Sequence, residues 1–191
     1  MLKRLTKSVV RAIALLVAAP VALLAGFGRW DIGFQFFAQS VALIPGLLGD
    51  YLRSAYYTLT LQQFFMTSRI SFGSIVAQSS TSIGPGVYIG AYCVIGASSI
   101  GERTQIASHV QILSGARQHA RTPDGQISGC GPNNLKPISI GPDCWLGAGS
   151  LIMADVGSKT TIGAGSVVTR PIGSGAIAFG NPATVQKQVV S

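Results

Sequence analysis

Two histidines stand in 191 residues, so proton transfer near neutral pH has two places to occur. His119 lies in a polar stretch, residues 114–137, SGARQHARTPDGQISGCGPNNLKP. Its neighbours Gln118, Arg121 and Asp124 offer donors and acceptors for a hydroxylated ligand, and they suit plain loop polarity equally well. His109 lies in IASHVQI, where strand alternation turns it outward beside an inward Val110, so it reads as a surface residue. A three-histidine zinc site is out of reach with two, and no metal is expected. The three cysteines show neither zinc spacing nor a disulfide framework. Cys93 and Cys144 read as small core residues, and Cys130 falls in the polar stretch.

The elements that hold these groups follow a period of six. Ile83, Ile89 and Ile95 form one set, and Ile100, Ile106 and Ile112 a second. Ile140, Leu146 and Ile152, then Val156, Ile162 and Val168, repeat the spacing after the polar stretch. Two places before most of these sits a small or β-branched residue, such as Thr81, Val87, Ser98, Thr104, Ser150, Thr160 or Ser166. The period fits neither a helix nor simple strand alternation. It is the hexapeptide repeat of a parallel β-helix, in which three short strands make one triangular coil and aliphatic side chains stack coil on coil. The expected fold is therefore mainly β. Glycine, 24 of 191 residues, exceeds the usual share of about 7% and supplies the corners. Residues 114–137 interrupt the period, and a loop of that length in a compact fold is usually functional or disordered.

The N-terminus has another character. Charged residues make up 10% of the chain and hydrophobic ones 48%, with a net charge of +8. Lys3, Arg4, Lys7 and Arg11 supply half of that surplus and precede an apolar run from Val9 to Phe27, broken by Arg11 and Pro20. A second, softer run spans Ile32–Gly49, and Arg53 follows. We read residues 1–50 as a membrane-anchoring helical hairpin with both ends in the cytoplasm. The alternatives are a re-entrant form, an interfacial helix pair and a signal peptide, which lacks a clear cleavage site. Residues 51–69, rich in Tyr and Phe, are expected to form an amphipathic linker or a helix capping the coil. The coil should span residues 70–187. The basic balance belongs to this flank. No basic stripe alternates with aromatics, so nucleic acid is not an expected partner.

The run WLGAGS…IGAGSVVTR…GNPA resembles the hexapeptide-repeat acyltransferases, most closely their sugar O-acetyltransferase branch, over roughly residues 70–187. The resemblance implies a left-handed coil and a homotrimer with its site between subunits. It also implies acetyl-CoA or another acyl-CoA as co-substrate. It gives His119 the role of general base and the backbone N–H of Ala148 that of oxyanion donor. It sets the co-substrate against Trp145, Gly147, Ala148, Ala164, Thr169 and Arg170. The family often carries arginine after Asn-Pro-Ala, where this chain has Thr184, and Lys187 is expected to compensate. The expected activity is transfer of an acetyl or other acyl group to a sugar hydroxyl. An anchored enzyme suggests a lipid-linked or surface-polysaccharide precursor as acceptor, membrane lipids as partners, and the inner membrane of a bacterium as location. The alternatives are a small soluble acceptor and a trimeric scaffold without catalysis.

Overall fold

The computed structural model describes residues 2–115, 119, 121–129 and 135–188, with backbone alone for 2–4. Each sequence set of three aliphatics becomes one coil with three walls. The first wall stacks β1 (Arg69–Ile70), β4 (Tyr88–Ile89), β7 (Gln105–Ile106), β10 (Trp145–Leu146), β12 (Thr161–Ile162) and β14 (Ala176–Gly180) in parallel. β15 (Ala183–Gln188) closes its edge antiparallel to β14. The second wall stacks β2 (Ile75–Val76), β5 (Val94–Ile95), β8 (Gln111–Ile112), β11 (Leu151–Ile152) and β13 (Val167–Val168). The third holds β3 (Ser82–Ile83), β6 (Ser98–Ile100) and β9 (Ile138–Ile140), continued by bridges at Val156 and Ile172.

The inward column of the first wall runs Ile70, Ile89, Ile106, Leu146, Ile162 and Ala178, each at most 1% exposed. Burying one such aliphatic side chain contributes about 1.5–3 kcal/mol, and stacking supplies what one coil cannot bury alone. The small inward residues have a second task. Thr104 Oγ1 donates to Gly141 O at 2.9 Å, Thr160 Oγ1 to Gly173 O at 2.9 Å, and Cys144 Sγ to Gly157 O at 3.0 Å. These bonds satisfy corner carbonyls that the strand ladders leave over. Cys93 and Cys144 are buried free thiols, and burial pushes both pKa values up.

Three helices cover the N-terminal end. α1 (Leu2–Leu24) runs through Pro20 without ending there, and Leu5–Leu24 is long and apolar enough to cross a membrane. The second apolar run does not form one arm. It breaks at Leu43–Pro45 into α2 (Asp31–Ala42) and α3 (Gly46–Thr60). At 1.5 Å per residue, their 12 and 15 residues reach about 18 and 22 Å, short of the roughly 30 Å hydrocarbon layer. Pro45, at φ −78°, caps α3 instead. α3 therefore starts before residue 51, and it lies across the open first coil. Ser54 Oγ donates to Ser68 O at 3.2 Å, and Tyr57 OH accepts from the Val76 N–H at 3.0 Å.

Arg53 corrects the expectation of a flanking surface charge. It is 0% exposed. Its Nε donates to Ile70 O at 2.8 Å, its Nη1 to Ile44 O at 2.7 Å and Val41 O at 3.1 Å, and its Nη2 to Asp50 Oδ1 at 2.6 Å. One guanidinium thus ties the end of α2, α3 and the first strand of the coil together. The fixed fork of donors suits that task.

Candidate active site

Three corners join the walls, and the candidate residues are spread over two of them. The first corner, between walls one and two, stacks Tyr92, His109, Gly149 and Gly165, all at positive φ. Trp145, 58% exposed, stands on wall one beside it, between Gln105 and Thr161. Leu146 turns into the core, and Gly147 follows with its N–H bonded to Ile162 O at 2.8 Å. A Cβ at Gly147 would lie 2.4 Å from Ala164 N, so only glycine lets the next coil pack here.

Ala148 and Ala164 are exposed on that corner, and their neighbourhood sets the chemistry. Two coils lower, the equivalent Ala91 N–H is taken by Ser108 Oγ at 3.3 Å. At Ala148 the residue one coil up is Ala164, with no hydroxyl to give. Among the described residues the Ala148 N–H has no backbone acceptor, while its carbonyl accepts from Gly165 N at 2.9 Å. Nothing stands within 4 Å of where a Cβ on Gly149 or Gly165 would be. The corner is open to solvent at these glycines and carries an amide without a backbone acceptor among the described residues. Directly beneath, the Ser150 hydroxyl is buried and has no partner among the described residues.

His109 is exposed, as the alternation predicts, and its ring stacks on Tyr92 at 5.4 Å and 12°. It sits one rung from Gly149, whose N–H donates to Ser108 O at 3.0 Å. This nearness to Ala148 was hidden in the sequence by the 24-residue interruption between the two coils.

His119 belongs to the second corner, between walls two and three. The loop leaves the coil after β8, and Lys136 N donates to Ser114 O at 2.9 Å at its base. The exposed His119 holds Ser128 O at 3.0 Å through Nδ1. A carbonyl only accepts, so Nδ1 carries the proton and Nε2 is the basic nitrogen of the neutral ring. Arg121 and Asp124 serve the loop itself. Arg121 Nη1 donates to Gly125 O at 2.8 Å, and Asp124 Oδ2 accepts from Gln126 Nε2 at 2.7 Å. Hydrogen bonds, the one from Thr122 first, hold the Asp124 carboxyl below its usual range. Gln118 and Cys130 lie outside the described residues.

Thr169 and Arg170, both exposed, follow β13 at this same second corner. Lys187 is on β15, paired with Ile177, and exposed on the wall that carries Trp145. The chain therefore brings Trp145, Gly147, Ala148, Ala164 and Lys187 to one side. The loop of His119, Thr169 and Arg170 stand across wall two. Among the described residues no group of three metal-ligating side chains occurs.

Comparison with known proteins agrees with this architecture. Residues 80–116 match the family model described as bacterial transferase hexapeptide (six repeats), and residues 137–170 match that of the hexapeptide repeat of succinyl-transferase. No curated protein matches. Among solved structures, the polySia-specific acetyltransferase NeuO is 26% identical, with a TM-score of 0.53 over 65% of this chain. The chain spans 60% of NeuO's length. A maltose O-acetyltransferase from Clostridium difficile 630 is 19% identical, with a TM-score of 0.65 over 85% of this chain and 90% of that one. AntD, an N-acyltransferase from Bacillus cereus solved with dTDP-4-amino-4,6-dideoxyglucose and coenzyme A, is 20% identical, with a TM-score of 0.53 over 65% of this chain and 71% of its own. The six-residue period, the three-walled coil and these matches agree that residues 80–116 and 137–170 carry the hexapeptide repeats of bacterial transferases.

Proposed function

We propose that the protein is a membrane-associated O-acyltransferase that moves an acetyl group from acetyl-CoA to a sugar hydroxyl of a lipid-linked or surface-polysaccharide precursor. The observation that carries this reading is the open Ala148 N–H, placed after Trp145-Leu146-Gly147 and left over because position 164 is alanine. His119 Nε2 takes the proton of the acceptor hydroxyl as its oxygen attacks the thioester carbonyl. The Ala148 amide donates to the oxyanion that forms. When the carbon–sulfur bond breaks, the thiolate leaves with the proton returned by His119.

The residues fit the co-substrate in one respect and divide in another. Ala148 and Ala164 are exposed and the space over Gly149 and Gly165 is open, so an extended thioester arm can approach the backbone here. Lys187 and Arg170 are exposed cations for phosphates, yet they stand on different sides of the coil. His119 and Ala148 are likewise rooted at different corners. A second copy that lays its loop corner against the first corner of this one would join the two sets, which is in keeping with the site between subunits of a homotrimer that the family resemblance implies. The apolar outer face of the helices, including Leu16 at 75% and Ile32 at 74% exposure, supports attachment to a membrane, and a cytoplasmic acyl-CoA would require the coil on the cytoplasmic side of the inner membrane. Both ends of α1 return to the coil, Lys7 and Arg11 beside Arg69 and, just past its last turn, Gly28 against Thr60 and Ser79, so α1 lies in the bilayer surface with α2.

The test is thiol release from acetyl-CoA by the full chain across a panel of lipid-linked and soluble sugars. Acceptor-dependent release with a lipid-linked sugar is the expected result. No release with any member of the panel, from a protein of unchanged melting temperature, overturns the reading.

A further inference from the structure

α1 and α3 lie side by side and leave a groove between them. Its apolar part, about 540 Å³, is lined by Val10, Ile13 and Val17 of α1 and by Leu47, Leu48 and Leu52 of α3. It continues into a second cavity of about 370 Å³ that shares Lys7, Leu47 and Tyr51 with the first. There the lining turns cationic, with Lys7, Arg11 and Arg69 around Asp50. The one carboxylate is already engaged: Oδ1 holds Arg53 and Oδ2 holds Arg69, each at 2.6 Å. Arg11 Nε is shielded from solvent and has no hydrogen-bond partner among the described residues. A shielded guanidinium N–H without an acceptor is costly, and an anion would remove that cost. A trough of aliphatic side chains ending in cations that outnumber the one carboxylate among them matches an amphiphile with an acidic headgroup.

The cationic end also points along the coil. Arg69 is the first rung of wall one, and Tyr88, Gln105 and Trp145 follow it in register on the outer face. Three strand spacings of about 4.8 Å put Trp145 roughly 14 Å from that rung. A headgroup held at Arg69 has a continuous wall leading to the corner of Ala148.

From this we infer that the groove binds the acceptor, a sugar carried on a lipid phosphate. The tail lies between α1 and α3, the phosphate between Lys7, Arg11 and Arg69, and the sugar along wall one. The inference rests on the proposed transferase reading for the acceptor's role, and its binding step does not need the acyl donor.

The probe is a long-chain polyprenyl phosphate, offered to the full chain in a non-ionic detergent without acetyl-CoA. Binding of polyprenyl phosphate is expected to exceed that of the matching polyprenol by about tenfold or more, the effect of a charge-assisted contact. Lys7→Gln and Arg11→Gln should each weaken it about tenfold, at melting temperatures like the parent's. If one of them unfolds the protein, the other carries the test together with Leu48→Trp, which fills the apolar part and should also weaken binding. Equal binding of polyprenol, or unchanged binding in the folded variants, overturns the inference. Displacement by phosphatidylglycerol at equal concentration overturns the acceptor assignment and makes the groove a general acidic-lipid site. Displacement by inorganic phosphate alone removes the role of the tail. Failure of transfer with binding intact counts against the transferase reading and leaves the groove standing.

Discussion

Ala164→Ser puts the oxyanion assignment to its most specific test, because the coil has already made this exchange elsewhere. At the equivalent pair lower in the stack, Ser108 Oγ takes the Ala91 N–H at 3.3 Å. A serine at 164 brings the same hydroxyl to the Ala148 N–H. The oxyanion must then displace an internal hydrogen bond with a net worth of about 0.5–1.5 kcal/mol. At about 1.4 kcal/mol per tenfold, that is a loss of roughly 2- to 13-fold in kcat. Removing an oxyanion donor outright costs about 10²- to 10³-fold, which bounds the effect and is the value expected for Ala148→Pro. The assay is initial-rate thiol release from acetyl-CoA with saturating acceptor, and melting temperature is recorded for each variant. Ala164→Val supplies bulk without a hydroxyl and separates crowding from hydrogen bonding. The serine variant should be no less stable than the parent and slower than the valine variant. If serine is as fast as the parent, or valine loses as much as serine, the open amide is not the catalytic donor.

The remaining expectations test single elements. His119→Ala should lower kcat by about 10²- to 10⁴-fold, the range for loss of a general base, with the fold unchanged by circular dichroism. His109→Ala should stay within a few-fold of the parent, and a comparable loss there would move the base to the first corner. Arg53→Ala strips the donors from Val41, Ile44 and Ile70 and leaves Asp50 to Arg69 alone. Removing one partner of such a buried pair costs about 3–5 kcal/mol, or roughly 6–20 °C in melting temperature at about 2–4 °C per kcal/mol. Cys93 and Cys144 should resist iodoacetamide until the protein unfolds, because burial raises both thiol pKa values. Below the ordinary thiol pKa near 8.5 folded and unfolded chains keep these protons alike. As the pH rises above it the unfolded chain ionises first, so a thermal melt should show stability falling there, and less so in the variant with both changed to alanine.

The coil was legible because its rule is local. An aliphatic residue every six positions, with a small residue two before it, fixes which side chains face in, and Ile83, Ile89 and Ile95 sit at 0% exposure as that rule requires. The places of Trp145, Gly147 and Ala148 on wall and corner were legible for the same reason, while their proposed roles came from the family resemblance alone. That the Ala148 N–H lacks an acceptor among the described residues was not legible, because it depends on what residue 164 lacks, and only the neighbouring coil with Ser108 makes that visible. The helical end followed no such rule. Ile32–Gly49 carries no charged residue, so hydropathy joins what Leu43–Pro45 divides into α2 and α3. Arg53 reads as a membrane-flanking charge by composition and becomes a buried fastener only when the carbonyls of Val41, Ile44 and Ile70 converge on it. Lys7, Arg11 and Arg69 meet in one cavity although most of the helical region separates them in sequence. A basic residue before an apolar run thus carries two meanings, topology and ligand. What separates them at Arg11 is geometry: a guanidinium nitrogen hidden from water and without an acceptor is poorly explained as a solvated flank and well explained as half of a contact that an anion completes.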